Sequence, residues 1–166
     1  MLKFYNFDIV FQEIPDETTL AVNITGCPFR CEGCHSPHLR EDIGEPLTEE
    51  ALRVLSGRYA GITCVALMGG DADPAAVSAL GGFIRQGLGL KSAWYSGAEE
   101  IPEAIDRSHF DFIKIGPYRA EAGGLKDPHT NQRLYAVRFD GTLEDITDRI
   151  RRKAPFPDAE SSSIFE

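Results

Sequence analysis

Residues 62–68, Ile-Thr-Cys-Val-Ala-Leu-Met, are apolar at nearly every position and run into Gly69-Gly70-Asp71. A strand with one wet face alternates apolar and polar residues; an unbroken apolar run belongs to a strand covered on both faces, the usual state in a parallel sheet. That run demands covering layers, and the neighbouring pattern supplies helices. Thr48-Glu49-Glu50 has the form of a helix start, with Thr48 as N-cap and acids in the first turn; Ala51, Leu52, Val54 and Leu55 then give an apolar face. Asp73 followed by Pro74 opens a second helix reaching about Gln86. Further strands read at 18–25, 91–97, 110–115 and 134–139, an edge strand at 4–11, and short helices at 101–108 and 142–152.

Strand and helix alternate along most of the chain, which argues for parallel βαβ units with right-handed crossovers. A complete eight-unit barrel takes about 250 residues, and this chain has 166. The expected fold is therefore α/β, an incomplete (β/α) barrel of about five to six parallel strands. Residues 1–152 read as a single domain, and 153–166, with Pro155, Pro157 and Ser161-Ser162-Ser163, as a loose tail. The net charge of −9 argues against a nucleic-acid partner, because phosphate binding needs a basic face. No apolar run approaches the roughly 18 to 20 residues of a membrane span, and the N-terminus lacks a signal-peptide layout, so the expected location is the cytoplasm.

In parallel α/β folds the ligand site forms at the C-terminal ends of the strands. The chemistry-bearing residues of this chain collect at those ends: a cysteine loop after 18–25, Gly69-Gly70-Asp71 after 62–68, Ser96-Gly97 after the next strand, and Lys114 near the end of 110–115. The loop, Gly26-Cys27-Pro28-Phe29-Arg30-Cys31-Glu32-Gly33-Cys34-His35, holds three of the four cysteines. A three-plus-one division is no disulfide framework; in a reducing compartment it points to metal or redox chemistry. Three thiolates can hold an iron–sulfur cluster with one iron left open, or a zinc ion with His35 or His38 as fourth ligand. Cys64, mid-strand, reads as a small buried hydrophobe. Gly69-Gly70 makes either a plain turn or a close backbone approach to a ligand. Ser96 and Lys114 each read equally as structural residues or ligand contacts. Residues 118–132 form a long loop, in which Asn131 and Gln132, with Arg133 just beyond it, read as an anchor.

The cysteine spacing, together with Met68-Gly69-Gly70-Asp71, Trp94-Tyr95-Ser96-Gly97, Ile115-Gly116-Pro117-Tyr118, Gly123-Gly124-Leu125 and Thr130-Asn131-Gln132-Arg133-Leu134-Tyr135, resembles the radical S-adenosylmethionine superfamily. Within it, the residues resemble the activating proteins of anaerobic ribonucleotide reductases, over about 11–139. The resemblance implies a partial barrel of the radical S-adenosylmethionine type and one [4Fe-4S] cluster on Cys27, Cys31 and Cys34. It implies S-adenosyl-L-methionine held by Gly33, His35, Gly69, Gly70, Asp71, Ser96 and Lys114, with no catalytic residue beyond the cluster ligands. The implied activity is that of an oxidoreductase: reductive cleavage to a 5′-deoxyadenosyl radical, which generates the glycyl radical of the large reductase subunit. Flavodoxin or ferredoxin would supply the electron. Two other readings stand beside it: activation of another glycyl radical enzyme, and a non-catalytic, zinc-stabilised binding module.

Overall fold

The computed structural model describes residues 1–34 and 36–152. Among them the strands are β1 Lys3–Val10, β2 Thr19–Ile24, β3 Glu45–Pro46, β4 Cys64–Met68, β5 Lys91–Tyr95, β6 Phe112–Ile115, β7 Arg133–Val137 and β8 Leu143–Asp145. The helices are α1 Glu49–Gly57, α2 Pro74–Gln86 and α3 Thr147–Arg152. The described strands form one sheet in the order β3-β1-β2-β4-β5-β6-β7-β8.

The centre of the sheet is parallel: β2 pairs with β4, β4 with β5, and β5 with β6. Both flanks are antiparallel. The strand expected over 134–139 exists as β7 but runs opposite to β6. A loop and not a crossover helix joins β6 to β7, and a chain that returns without crossing a sheet face pairs antiparallel. The helix expected over 142–152 divides into β8 and the short α3. The helix expected over 101–108 contracts to a 3₁₀ turn, Arg107–His109, in which the Asp106 carboxylate accepts from the Ser108 N–H at 2.9 Å. The tail expected at 153–166 lies outside the described residues.

The helix starts follow the sequence. Thr48 Oγ1 accepts from the Ala51 N–H at 3.1 Å, and Asp73 Oδ1 from the Ala76 N–H at 3.1 Å, with Pro74 at the first helical position. One sheet face, bearing Val22, Leu67, Trp94 and Ile113, packs against Leu52 and Leu55 of α1 and Val77 and Ile84 of α2. Burial of each such side chain contributes about 1.5–3 kcal/mol. The other face carries Cys64, Ala66, Ala93, Phe112 and Leu134, covered by Ile14, Ile146 and Ile150. Because β4 is enclosed by both clusters, its apolar run has no wet position to alternate with.

The register positions the functional edge. Ala21, Ala66, Ala93 and Phe112 lie in one row across the parallel strands, and two residues on, Asn23, Met68, Tyr95 and Lys114 form the next row on the same face. A floor of small alanines is thus bordered, toward the C-terminal strand ends, by longer and more polar side chains. Among the described residues no helix is long and apolar enough to cross a membrane.

Candidate functional site

The parallel strands β4 and β5 end in glycine-containing turns. Gly69 and Gly70 adopt φ of +107° and +87°, conformations that L side chains rarely enter. Space enforces the same choice: a Cβ on Gly70 would lie 2.5 Å from Val77 Cγ2, and one on Gly69 3.2 Å from the Ile24 carbonyl oxygen. The pair turns the chain from β4 down onto α2. The Gly69 carbonyl accepts from Trp94 Nε1 at 2.7 Å, and the Gly70 carbonyl from the Asp73 N–H at 3.0 Å. Both carbonyls therefore serve the fold.

Asp71, Ser96 and Lys114 come together at this edge as the strand-end logic predicts. The Ser96 hydroxyl donates to Asp71 Oδ1, and the Gly97 N–H donates to Asp71 Oδ2 at 3.3 Å. The same Ser96 oxygen accepts from the Ala98 N–H at 2.9 Å. Burial raises the Asp71 pKa, and the hydrogen bond from Ser96 opposes that rise. Lys114 is 9% exposed. Its ammonium donates to the Ser96 carbonyl at 3.1 Å and the Gly116 carbonyl at 2.9 Å, and it stands 5.9 Å from the Tyr95 ring centroid. Burial lowers its pKa to about 8, against the upward pull of Asp71 and Cys31. An ammonium has three donors; two of those of Lys114 are committed to carbonyls, and among the described residues it makes no ion pair closer than 4 Å. Tyr95 and Gln132, whose amide lies 3.5 Å from the Gly116 carbonyl, complete the surroundings. Tyr95 was accessible from the alternation of β5, which puts it on the face of Ala93. Gln132 reaches the site through the antiparallel return of β7, which the sequence pattern did not reveal. The anchor expected at Asn131 and Gln132 is real: Asn131 Nδ2 donates to the Pro117 carbonyl at 3.0 Å, and Thr130 Oγ1 accepts from the Gln132 N–H at 3.0 Å. A cleft of about 290 Å³, lined in part by Glu99, Arg119, Asn131 and Arg133, adjoins Lys114 through Gly116.

The cysteine loop rests over this edge. A Cβ on Gly97 would fall 2.8 Å from the Phe29 ring, and one on Gly33 would fall 3.4 Å from the Tyr118 ring. Cys27, Cys31 and Cys34 are free, partly buried thiols, and Cys64 is free and buried. The Cys27 pKa is raised, first by burial and then by Asp71, Cys31 and Cys34, with a backbone hydrogen bond at Phe29 acting the other way. The Cys64 thiol, expected mid-strand and found at the start of β4, is 0% exposed and is pushed up to about 12 by burial. His35 lies outside the described residues, and His38 is engaged elsewhere, edge-on to Tyr5 with ring centroids 5.1 Å apart.

The metal centre expected on this loop is corrected by the geometry. A cluster or a zinc ion needs its donors converging on one centre. Cys31 and Cys34 are close enough to Cys27 to act on its thiol, yet among the described residues no group of three or more His, Cys, Asp or Glu side chains is arranged to hold a metal ion. No family model, no curated protein and no solved structure matches the chain. Together these findings overturn what the resemblance implied: membership of the radical S-adenosylmethionine superfamily, the [4Fe-4S] cluster, S-adenosyl-L-methionine as cofactor, and the glycyl-radical-activating oxidoreductase. The zinc-stabilised alternative falls with the same donor geometry. What stands is a polar trio at the C-terminal strand ends beneath a loop of free thiols.

Proposed function

We propose that the chain binds a small molecule at the C-terminal edge of its parallel strands, through an oxyanion, carboxylate or phosphate, placed against Lys114. The observation that carries this reading is the state of Lys114: a buried lysine, 9% exposed, whose ammonium donates to two carbonyls and, among the described residues, touches no carboxylate directly. A buried charge costs free energy unless it is paired. An anionic ligand group would offset that cost and would use the remaining ammonium donor in a charge-assisted hydrogen bond. Asp71 is held by Ser96 and Gly97 at the same edge, where its carboxylate would orient a donor group of the ligand. The reading takes the sheet as the incomplete barrel expected from the strand–helix alternation, with the alanine-floored face inward. The free thiols suit a reducing, cytoplasmic compartment.

The test is an amide-resolved NMR titration of the full chain with inorganic phosphate and, separately, citrate. The expected result is saturable shifts in residues 69–73, 96–98 and 114–118 that are lost in Lys114→Met. Shifts confined to other surfaces, or shifts that persist in Lys114→Met, would overturn the proposal.

A further inference from the structure

Cys31-Glu32-Gly33-Cys34 is a β-turn. The Cys34 N–H donates to the Cys31 carbonyl at 3.2 Å, and Gly33, the third residue, has φ of +77°. A positive φ at that position marks a type II turn, which holds the first and fourth Cα atoms within about 7 Å. A disulfide bridges Cα atoms about 4.4–6.8 Å apart, so the turn brings these two cysteines into bridging range with no long loop to close. Arg40 Nη2 fixes the turn at its first residue by donating to the Cys31 carbonyl at 3.0 Å. Both thiols are free and partly exposed to reagents.

We propose that Cys31 and Cys34 are a redox pair, converted from dithiol to intramolecular disulfide by exchange with a small-molecule disulfide. One cysteine thiolate attacks the small disulfide, forming a mixed disulfide and releasing one small thiolate. The second cysteine attacks the protein sulfur of the mixed disulfide and releases the other. Two protein thiols are oxidised, one small disulfide is reduced to two thiols, and the two protein protons pass to the released thiolates. Cys27 is outside the pair: its N–H is tied to the Leu39 carbonyl at 2.9 Å and its sulfur faces the Phe29 carbonyl at 3.9 Å. Cys64 is enclosed in β4 at 0% exposure. The consequence is local. A disulfide locks the turn whose Gly33 abuts Tyr118, and so fixes the apex of the loop that lies over Asp71, Ser96 and Lys114. The inference stands on the turn alone, independent of any ligand at Lys114.

The experiment equilibrates the full chain with a series of reduced-to-oxidised glutathione ratios, quenches with acid, alkylates the remaining thiols and digests with trypsin. Cleavage after Arg30 and Arg40 places Cys31 and Cys34 on one peptide and Cys27 on another. The expected product is the 31–40 peptide lighter by two hydrogens, with Cys27 and Cys64 alkylated, and Cys27→Ala gives the same product. Gly33→Ala, which disfavours the positive φ, lowers the equilibrium constant for the internal disulfide by about tenfold. The proposal is overturned by a cross-link between the 31–40 peptide and the Cys27 peptide, or by glutathione mixed disulfides with no internal bond. Thiols that stay fully alkylated at the most oxidising ratio, or a Gly33→Ala chain that oxidises like the parent, overturn it as well.

Discussion

The two edges of the parallel strands each carry a carboxylate, a hydroxyl and a lysine, and the two trios are wired in opposite ways. At the N-terminal edge Glu17, 8% exposed, accepts from the Thr63 hydroxyl and pairs directly with Lys91. The hydrogen bond to Glu17 is the main reason the Lys91 pKa is raised. At the C-terminal edge Asp71 accepts from Ser96, but Lys114 turns to two carbonyls and burial takes its pKa down to about 8. A closed ion pair holds strand ends together and has little left to offer a ligand. A buried cation without a bonded counter-charge is a place where binding energy is still available. The same residue types therefore make a structural clamp at one edge and a candidate site at the other.

The comparison is broken most severely by substitution at the turns beside β4. Gly70→Ala, after its C-terminal end, meets both the positive φ and Val77, and is expected to cost about 3 kcal/mol in urea denaturation. Gly61→Ala, before the N-terminal end, meets only the positive φ, because nothing lies within 4 Å of its Cβ, and is expected to cost about 1 kcal/mol. Equal losses would mean that packing does not distinguish the edges. Lys114→Met is expected to weaken phosphate or citrate binding about 10- to 100-fold, the worth of a hydrogen bond to a charged group, whereas Lys91→Met leaves it unchanged by the same titration. Glu17→Gln opens the N-terminal clamp. Since Lys91 is half-exposed and can return to water, the expected loss is only about 1 kcal/mol.

The remaining contrast between the two edges is their dependence on pH. Lys114 holds its proton more weakly folded than unfolded, so the folded state is penalised below about pH 8 and gains stability as pH rises from about 8 toward 10.5. Lys91, with its raised pKa, contributes stability that is fully present below 10.5 and is lost as pH rises through its folded value. Urea melts of the parent and of Lys114→Met across that window should show a difference in stability that narrows with rising pH. Oxyanion binding should move the other way, weakening as Lys114 loses its proton.

The sequence made some of this visible and hid the rest for physical reasons. The apolar run of β4 and the capped starts of α1 and α2 were legible because burial and capping are local demands on residue type. Strand-end placement brought Asp71, Ser96 and Lys114 to one edge correctly. The reversed direction of β7 was hidden, because periodicity marks a strand without its direction, and the 116–132 loop carries no helical pattern to announce or deny a crossover. β8 was hidden inside a segment with helical charge patterning. Of the two readings of Gly69-Gly70 the turn is the one seen: the Gly70 carbonyl accepts from the Asp73 N–H three residues on, and the Gly69 carbonyl from the Trp94 indole, a contact distant in sequence. The cysteine spacing was legible as a cluster of thiols on one loop, but spacing does not fix convergence, and the donor geometry among the described residues did not follow it.

Among the described residues Lys114 is a buried cation with no ion pair, and titration of its side chain by NMR, with and without saturating phosphate, tests its part in binding. The expected Lys114 midpoint lies near 8 and is displaced upward by phosphate, while Lys91 titrates above 10.5 in both conditions. A Lys114 that titrates near 10.5 with ordinary lysines and ignores phosphate would contradict it.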